Sequence, residues 1–171
     1  GSGAAGAVLA KELAESGKRV VLLERGGYHE GRDMNQRDAD MIPLLWKNSG
    51  FNFDDNLRIA IAQGCCLGGS TIINDAVCFD TPIRVQEEWN SLGVDFGDKE
   101  WSDHINRVNK ILHVSEVTED ELSRNNKMLR EGAKKLGLKD HRNNHRNCIN
   151  CMQCGFCHLG CHYETKQNVL V

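Results

Sequence analysis

Gly1-Ser2-Gly3-Ala4-Ala5-Gly6 spaces three glycines as G-x-G-x-x-G, and few backbones satisfy that spacing. In a strand-to-helix turn of this kind the first glycine makes the bend and the second lets the backbone approach a pyrophosphate. The third allows close helix–strand packing. The next residues have the matching periodicity. Ala5, Val8, Leu9 and Leu13 share one face of a helix expected over Ala4–Ser16, with Gly17 as its stop. Lys18-Arg19-Val20-Val21-Leu22-Leu23-Glu24 then reads as a buried parallel strand with a charged entry and an acidic exit. Amides at the helix start, around Gly3 and Ala4, would face phosphates. Glu24 stands where an acid accepts the hydroxyls of an adenosine ribose, and its presence argues against a 2′-phosphate there. Residues 1–27 therefore read as a βαβ dinucleotide-binding start lacking its first strand. The expected class is α/β with a Rossmann-like fold, incomplete in this chain. The pattern does not separate a nicotinamide from a flavin dinucleotide.

Composition narrows the partners. Lys and Arg number 21 against 24 Asp and Glu, which leaves no basic surface for nucleic acid. No run approaches the roughly 18 apolar residues of a membrane span. The chain opens on Gly1 without methionine and closes on Asn168-Val169-Leu170-Val171, which reads as a strand beginning. Both ends are expected to be cuts through ordered structure. Tyr28–Leu57 is polar and irregular, with room for one short helix at Met41–Trp46. Residues 82–139 read as a helical segment. Thr81-Pro82 opens its first helix, which stops near Gly93. Trp101, Ile105, Val108 and Leu112 have helical spacing. Thr118-Glu119-Asp120-Glu121 forms a capping box before Leu122, Leu129, Ala133 and Leu136.

A second glycine-rich stretch, Gly64-Cys65-Cys66-Leu67-Gly68-Gly69-Ser70-Thr71-Ile72-Ile73-Asn74, separates the two dinucleotides. It resembles the first signature of the glucose–methanol–choline (GMC) oxidoreductases, L-G-G-S-[ST]-x-x-N, matched at Gly68, Gly69, Ser70, Thr71 and Asn74. The resemblance covers nearly the whole chain and implies an FAD-binding domain over 1–171. Gly68 and Gly69 would let amides reach the flavin pyrophosphate, and Ser70 would donate to a phosphate oxygen. Asn74 would fix the chain beside the isoalloxazine edge. The sequence departs from the family at Cys65, where a basic residue is usual, and at Cys78, where a bulky one is. The Val77-Cys78-Phe79 step is similar to the subgroup acting on larger, long-chain alcohols.

Residues 148–162 form a cysteine-rich loop. Cys151-x2-Cys154-x2-Cys157-x3-Cys161 has the spacing of a bacterial ferredoxin run, and Cys148 adds a further x2 step. Abutting pairs fit zinc less well. The neighbouring His141, His145, His158 and His162 read as solvated, with His158 or His162 able to substitute as a ligand. Within the resemblance three readings stand: an iron–sulfur cluster on C-x5-C-x3-C, which Cys151, Cys157 and Cys161 would satisfy, as in some flavin dehydrogenases of the family, structural thiols, or a labile disulfide. Crowded thiols favour a reducing, cytoplasmic setting.

The resemblance implies an alcohol substrate, hydride transfer to FAD, and an electron acceptor such as a protein or quinone. The family's catalytic base is a histidine far beyond residue 171, so no catalytic residue is expected here. Two alternatives remain open on the sequence. A nicotinamide-dependent dehydrogenase leaves Leu67–Asn74 unexplained, and an iron–sulfur or zinc electron-transfer module leaves the first third unexplained. The 171-residue chain by itself is expected to fold poorly, because the strand ending at Glu24 would expose unpaired edges. A cooperative thermal melt of that chain with flavin bound would contradict this.

Overall fold

A computed structural model describes residues 1–94, 98–138 and 144–170. The chain divides into two compact units, Gly1–Ala76 with Ile149–Val171, and Val77–Cys148.

In the first unit, helix α1 spans Ala4–Glu15. It ends where Gly17, at φ +81°, donates its amide to Ala14 O at 2.9 Å. The apolar run after it does not become a buried strand. Among the described residues no strand pairs with 18–24, and Val21 is 84% exposed. A strand requires a hydrogen-bonded neighbour. The one parallel pairing among the described residues is a single bridge beyond the run, between Gly27 and Cys66. Val8, Leu9 and Leu13 of α1 are likewise exposed. The parallel sheet expected of a Rossmann-like fold is thus not formed among the described residues.

The core of this unit lies further along the chain. Helix α2 (Asp38–Leu45) and the short helix α3 (Ser70–Ile73) contribute Met41, Leu45, Ile72 and Ile73, which pack with Met34, Cys66 and Leu159. The short helix expected at Met41–Trp46 thus forms, displaced to Asp38–Leu45 and with Pro43 inside it. A 3₁₀ turn at Cys157–Leu159 carries Leu159 into that core, and Trp46 Nε1 donates to His158 O at 3.0 Å. Gly160 is glycine for two reasons. Its φ is +84°, and a Cβ there would lie 2.3 Å from Met34 Sδ.

The second unit holds α4 (Ile83–Ser91), α5 (Asp98–Ile111) and α6 (Arg124–Lys135). Its small antiparallel sheet has the order β1 (Val77–Cys78), β3 (His145–Arg146), β2 (Ser115–Glu116). Pro82, not Thr81, occupies the cap position of α4. The Thr118–Glu121 capping box forms, but it closes a 3₁₀ turn at Glu119–Glu121. Helix α6 takes a separate cap, Ser123, whose hydroxyl accepts from Asn126 N at 3.3 Å. The backbone turns extended at Leu122, φ −68° and ψ 126°, which ends the first turn before α6 begins. Arg130–Glu119 and Arg146–Glu121 ion pairs fasten that turn to α6 and β3.

Leu45 is fully buried, so Leu45→Ala is expected to destabilise the protein by about 3 kcal/mol. Denaturant unfolding measures this, and a loss near zero would place the core elsewhere.

Candidate functional site

The two glycine-rich turns meet. Gly69 has φ +53°, and a Cβ built on it would lie 3.0 Å from Gly3 Cα. A Cβ on Gly6 would fall 2.0 Å from Gly1 O, so the third glycine of the fingerprint is required by the tightness of its own turn.

Ser2 joins the two turns, although the fingerprint treats its position as variable. It is 1% exposed. Its hydroxyl donates to Glu24 Oε2 at 2.8 Å and accepts from Gly68 N at 2.9 Å. Its amide donates to the same Glu24 oxygen at 2.7 Å. Glu24 Oε1 accepts from the amides of Arg25 and Gly26, both at 2.8 Å. A carboxylate offers about four lone-pair sites, and these four donors fill them. Donation from Gly26 and from Ser2 holds the Glu24 carboxyl down at about 2. The signal that could have found Ser2 was its chemistry: a small hydroxyl between two glycines can bridge where an alanine cannot.

The amides of Gly68 and Gly69, expected to reach a pyrophosphate, have partners within the chain in this structure. Gly68 N–H bonds Ser2 Oγ, and Gly69 N–H bonds Cys66 O at 2.8 Å. Both residues are buried with positive φ. Their missing side chains are explained by close packing and backbone conformation, and both amides are already bonded within the chain. Donors facing outward come from elsewhere. The first intrahelical bond of α1 runs from Ala7 N to Gly3 O, so the amides of Ala4, Ala5 and Gly6 precede any helical acceptor. A Cβ on Gly3 would meet nothing within 4 Å, which leaves that helix end open. Ser70 Oγ accepts from Gly64 N at 3.0 Å and keeps its proton for another acceptor. Asn74 is exposed. Its Nδ2 donates to Thr71 O at 3.1 Å, and its Oδ1 accepts from Ala76 N at 2.9 Å.

The cysteine loop does not gather ligands. Among the described residues no three His, Cys, Asp or Glu side chains converge as a metal site, and no disulfide joins the cysteines. The expectation of a cluster on Cys151, Cys154, Cys157 and Cys161 finds no support there. The loop is organised by other bonds: Cys151 Sγ accepts from Gln153 N at 3.3 Å, and Cys161 Sγ lies 3.5 Å from Thr165 Oγ1. His162 is tied through Nδ1 to Met34 O at 3.0 Å, and His158 lies 3.5 Å from Asp38. His141 lies outside the described residues. A cavity of about 280 Å³ borders this loop, lined by Met34, Ile72, Cys161 and Lys166 among others. None of the residues expected to hold a dinucleotide lines it.

Comparison with known proteins identifies a family. The family described as GMC oxidoreductase matches residues 1–171. The long-chain-alcohol oxidases FAO3 and FAO1 of Arabidopsis thaliana are each 32% identical, over 98% and 94% of the chain. A GMC-type oxidoreductase of Mycobacterium tuberculosis, Rv0492c, is 28% identical over 99% of it. The chain covers 22%, 21% and 27% of those three proteins, respectively. It therefore spans about a quarter of the length of the curated relatives it matches. No solved structure matches.

Ser2→Ala leaves the buried Gly68 N–H without its acceptor and is expected to cost about 2 kcal/mol. It also removes one donor from Glu24, so the carboxyl should titrate above its present value of about 2. With its pKa depressed, Glu24 contributes stability fully above the ordinary carboxylate value, and that contribution is lost as pH falls through about 2. The variant should lose it at higher pH. Carbon-detected NMR titration of Glu24 in both proteins checks this, and an unchanged midpoint would remove Ser2 from the clamp.

Proposed function

The chain belongs to the GMC oxidoreductase family, and on that premise we propose that it grips FAD in an enzyme that oxidises long-chain alcohols. The meeting of the two glycine turns through Ser2 carries this reading. One turn alone would suit either dinucleotide. Two turns in contact, the second with the family signature, favour the flavin. The resemblance to long-chain-alcohol oxidases at 32% identity favours the substrate class.

The open amides of Ala4, Ala5 and Gly6 would face the pyrophosphate, where the positive end of a twelve-residue helix favours anionic oxygen. Ser70 would add a hydroxyl donor. Glu24 would accept from the adenosine ribose, with a ribose hydroxyl replacing the Ser2 hydroxyl on Oε2. Gly1 and Gly3 keep that approach free of side chains, while Gly6, Gly68 and Gly69 set the backbone that supports it. Asn74 would end the second turn beside the flavin ring. When bound, FAD supplies the hydride acceptor for the alcohol carbon. This chain's residues bind and orient it, and no proton transfer is assigned to them.

The full-length protein is expected to purify with flavin absorbance, and anaerobic addition of a long-chain primary alcohol should bleach it. Readmitting dioxygen or a quinone then identifies the electron acceptor. Gly6→Val should abolish flavin retention, because its side chain meets Gly1 O. A colourless full-length protein that binds NADH instead would refute the reading.

A further inference from the structure

Lys166, four residues beyond the cysteine-rich loop, is 2% exposed. Its Nζ donates to Ile72 O at 2.7 Å, to Asn74 O at 2.6 Å and to Cys157 O at 2.9 Å. An ammonium has three protons, and each has a carbonyl here. Removing a cation from water costs several kcal/mol unless such bonds compensate, so this arrangement is built for the charge. Arginine would not reproduce it, since a planar fork suits coplanar acceptors and an ammonium can turn to three separate ones.

The three carbonyls belong to two different pieces of chain. Ile72 and Asn74 lie at the end of α3, where a helix leaves acceptors unsatisfied. Cys157 starts the 3₁₀ turn of the cysteine loop. The opposite end of α3 begins at Gly69-Ser70, against Gly3. Two further contacts run the same way: Leu159 packs in one core with Ile72 and Ile73, and Val169 N approaches Thr71 Oγ1 at 3.5 Å. We propose that Lys166 is a positioning residue of the cofactor site, bracing α3 against the cysteine loop so that the second glycine turn stays in register with the first. The loop then communicates with the cofactor through this ammonium. Its backbone carries the role, and no metal is required.

This inference rests on the flavin reading above, and the test separates the two. In the full-length protein, FAD should slow amide hydrogen exchange across residues 149–166 about tenfold, as reciprocal coupling requires. Lys166→Met should weaken FAD binding about tenfold and erase that protection. Lys134→Met, on the partly exposed side of α6, should change neither. Equal exchange with and without FAD in the unaltered protein overturns the proposal, even if Lys166→Met does not fold. Protection that survives in a folded Lys166→Met protein overturns it as well. If the unaltered protein binds no FAD, the flavin reading fails and the brace is read in the protein as purified. There Lys166→Met should accelerate exchange at 70–76 and at 157–161 together, and acceleration of one segment alone overturns the brace.

Discussion

The first unit depends on a shared carboxylate. Glu24 takes donors from both sides, Ser2 on one oxygen and the Arg25 and Gly26 amides on the other. This single side chain fixes where the head of the chain lies relative to the end of the following apolar run. Ser2 extends the same network to Gly68, sixty-six residues away. A small hydroxyl suits the position because it can donate and accept at once, where an amide N–H can only donate. Charge-assisted bonds of this kind are stronger than neutral ones, which is why one side chain can set the distance between two loops.

Much of this was legible in the residues. The spacing of Gly1, Gly3 and Gly6 announced a tight turn into a helix, and α1 begins at Ala4. Gly17 and Gly93 announced helix stops, and both adopt positive φ. The features that could not be read depend on physics acting between distant segments. Apolar content at Val20–Leu23 marks a strand only if a neighbour pairs with it, and sequence periodicity carries no information about the neighbour. At Gly68 and Gly69 the motif reports backbone freedom, which serves close packing and approach to a phosphate equally well. The apolar patch from Met41 announced one short helix, and α2 forms there with Met41 and Leu45 buried, although it begins three residues earlier at Asp38.

The cysteine loop teaches a related lesson. Spacing of x2 and x3 places thiols near one another along the chain, but ligation needs their sulfurs to converge on one point. Here Gly155 and Gly160 turn the backbone with positive φ, and Leu159 and Cys148 are the loop's buried side chains. Burial raises the Cys157 thiol, with the charge of Lys166 opposing that effect. At Cys161 burial also acts upward, but hydrogen bonds from Thr165 and from the Lys166 and Tyr163 amides outweigh it and lower the thiol. Two cysteines four residues apart therefore differ in acidity for reasons of local donor geometry.

The indole of Trp46 gives this fold a built-in optical probe. Of the three tryptophans, Trp89 and Trp101 sit edge to face in the second unit. Trp46 is the sole fluorophore of its kind in the first, with its N–H bonded to the backbone of the cysteine loop. Release of that loop would hydrate the ring and shift its emission to longer wavelength. Replacing the other two tryptophans by phenylalanine would turn steady-state emission into a continuous readout of loop docking.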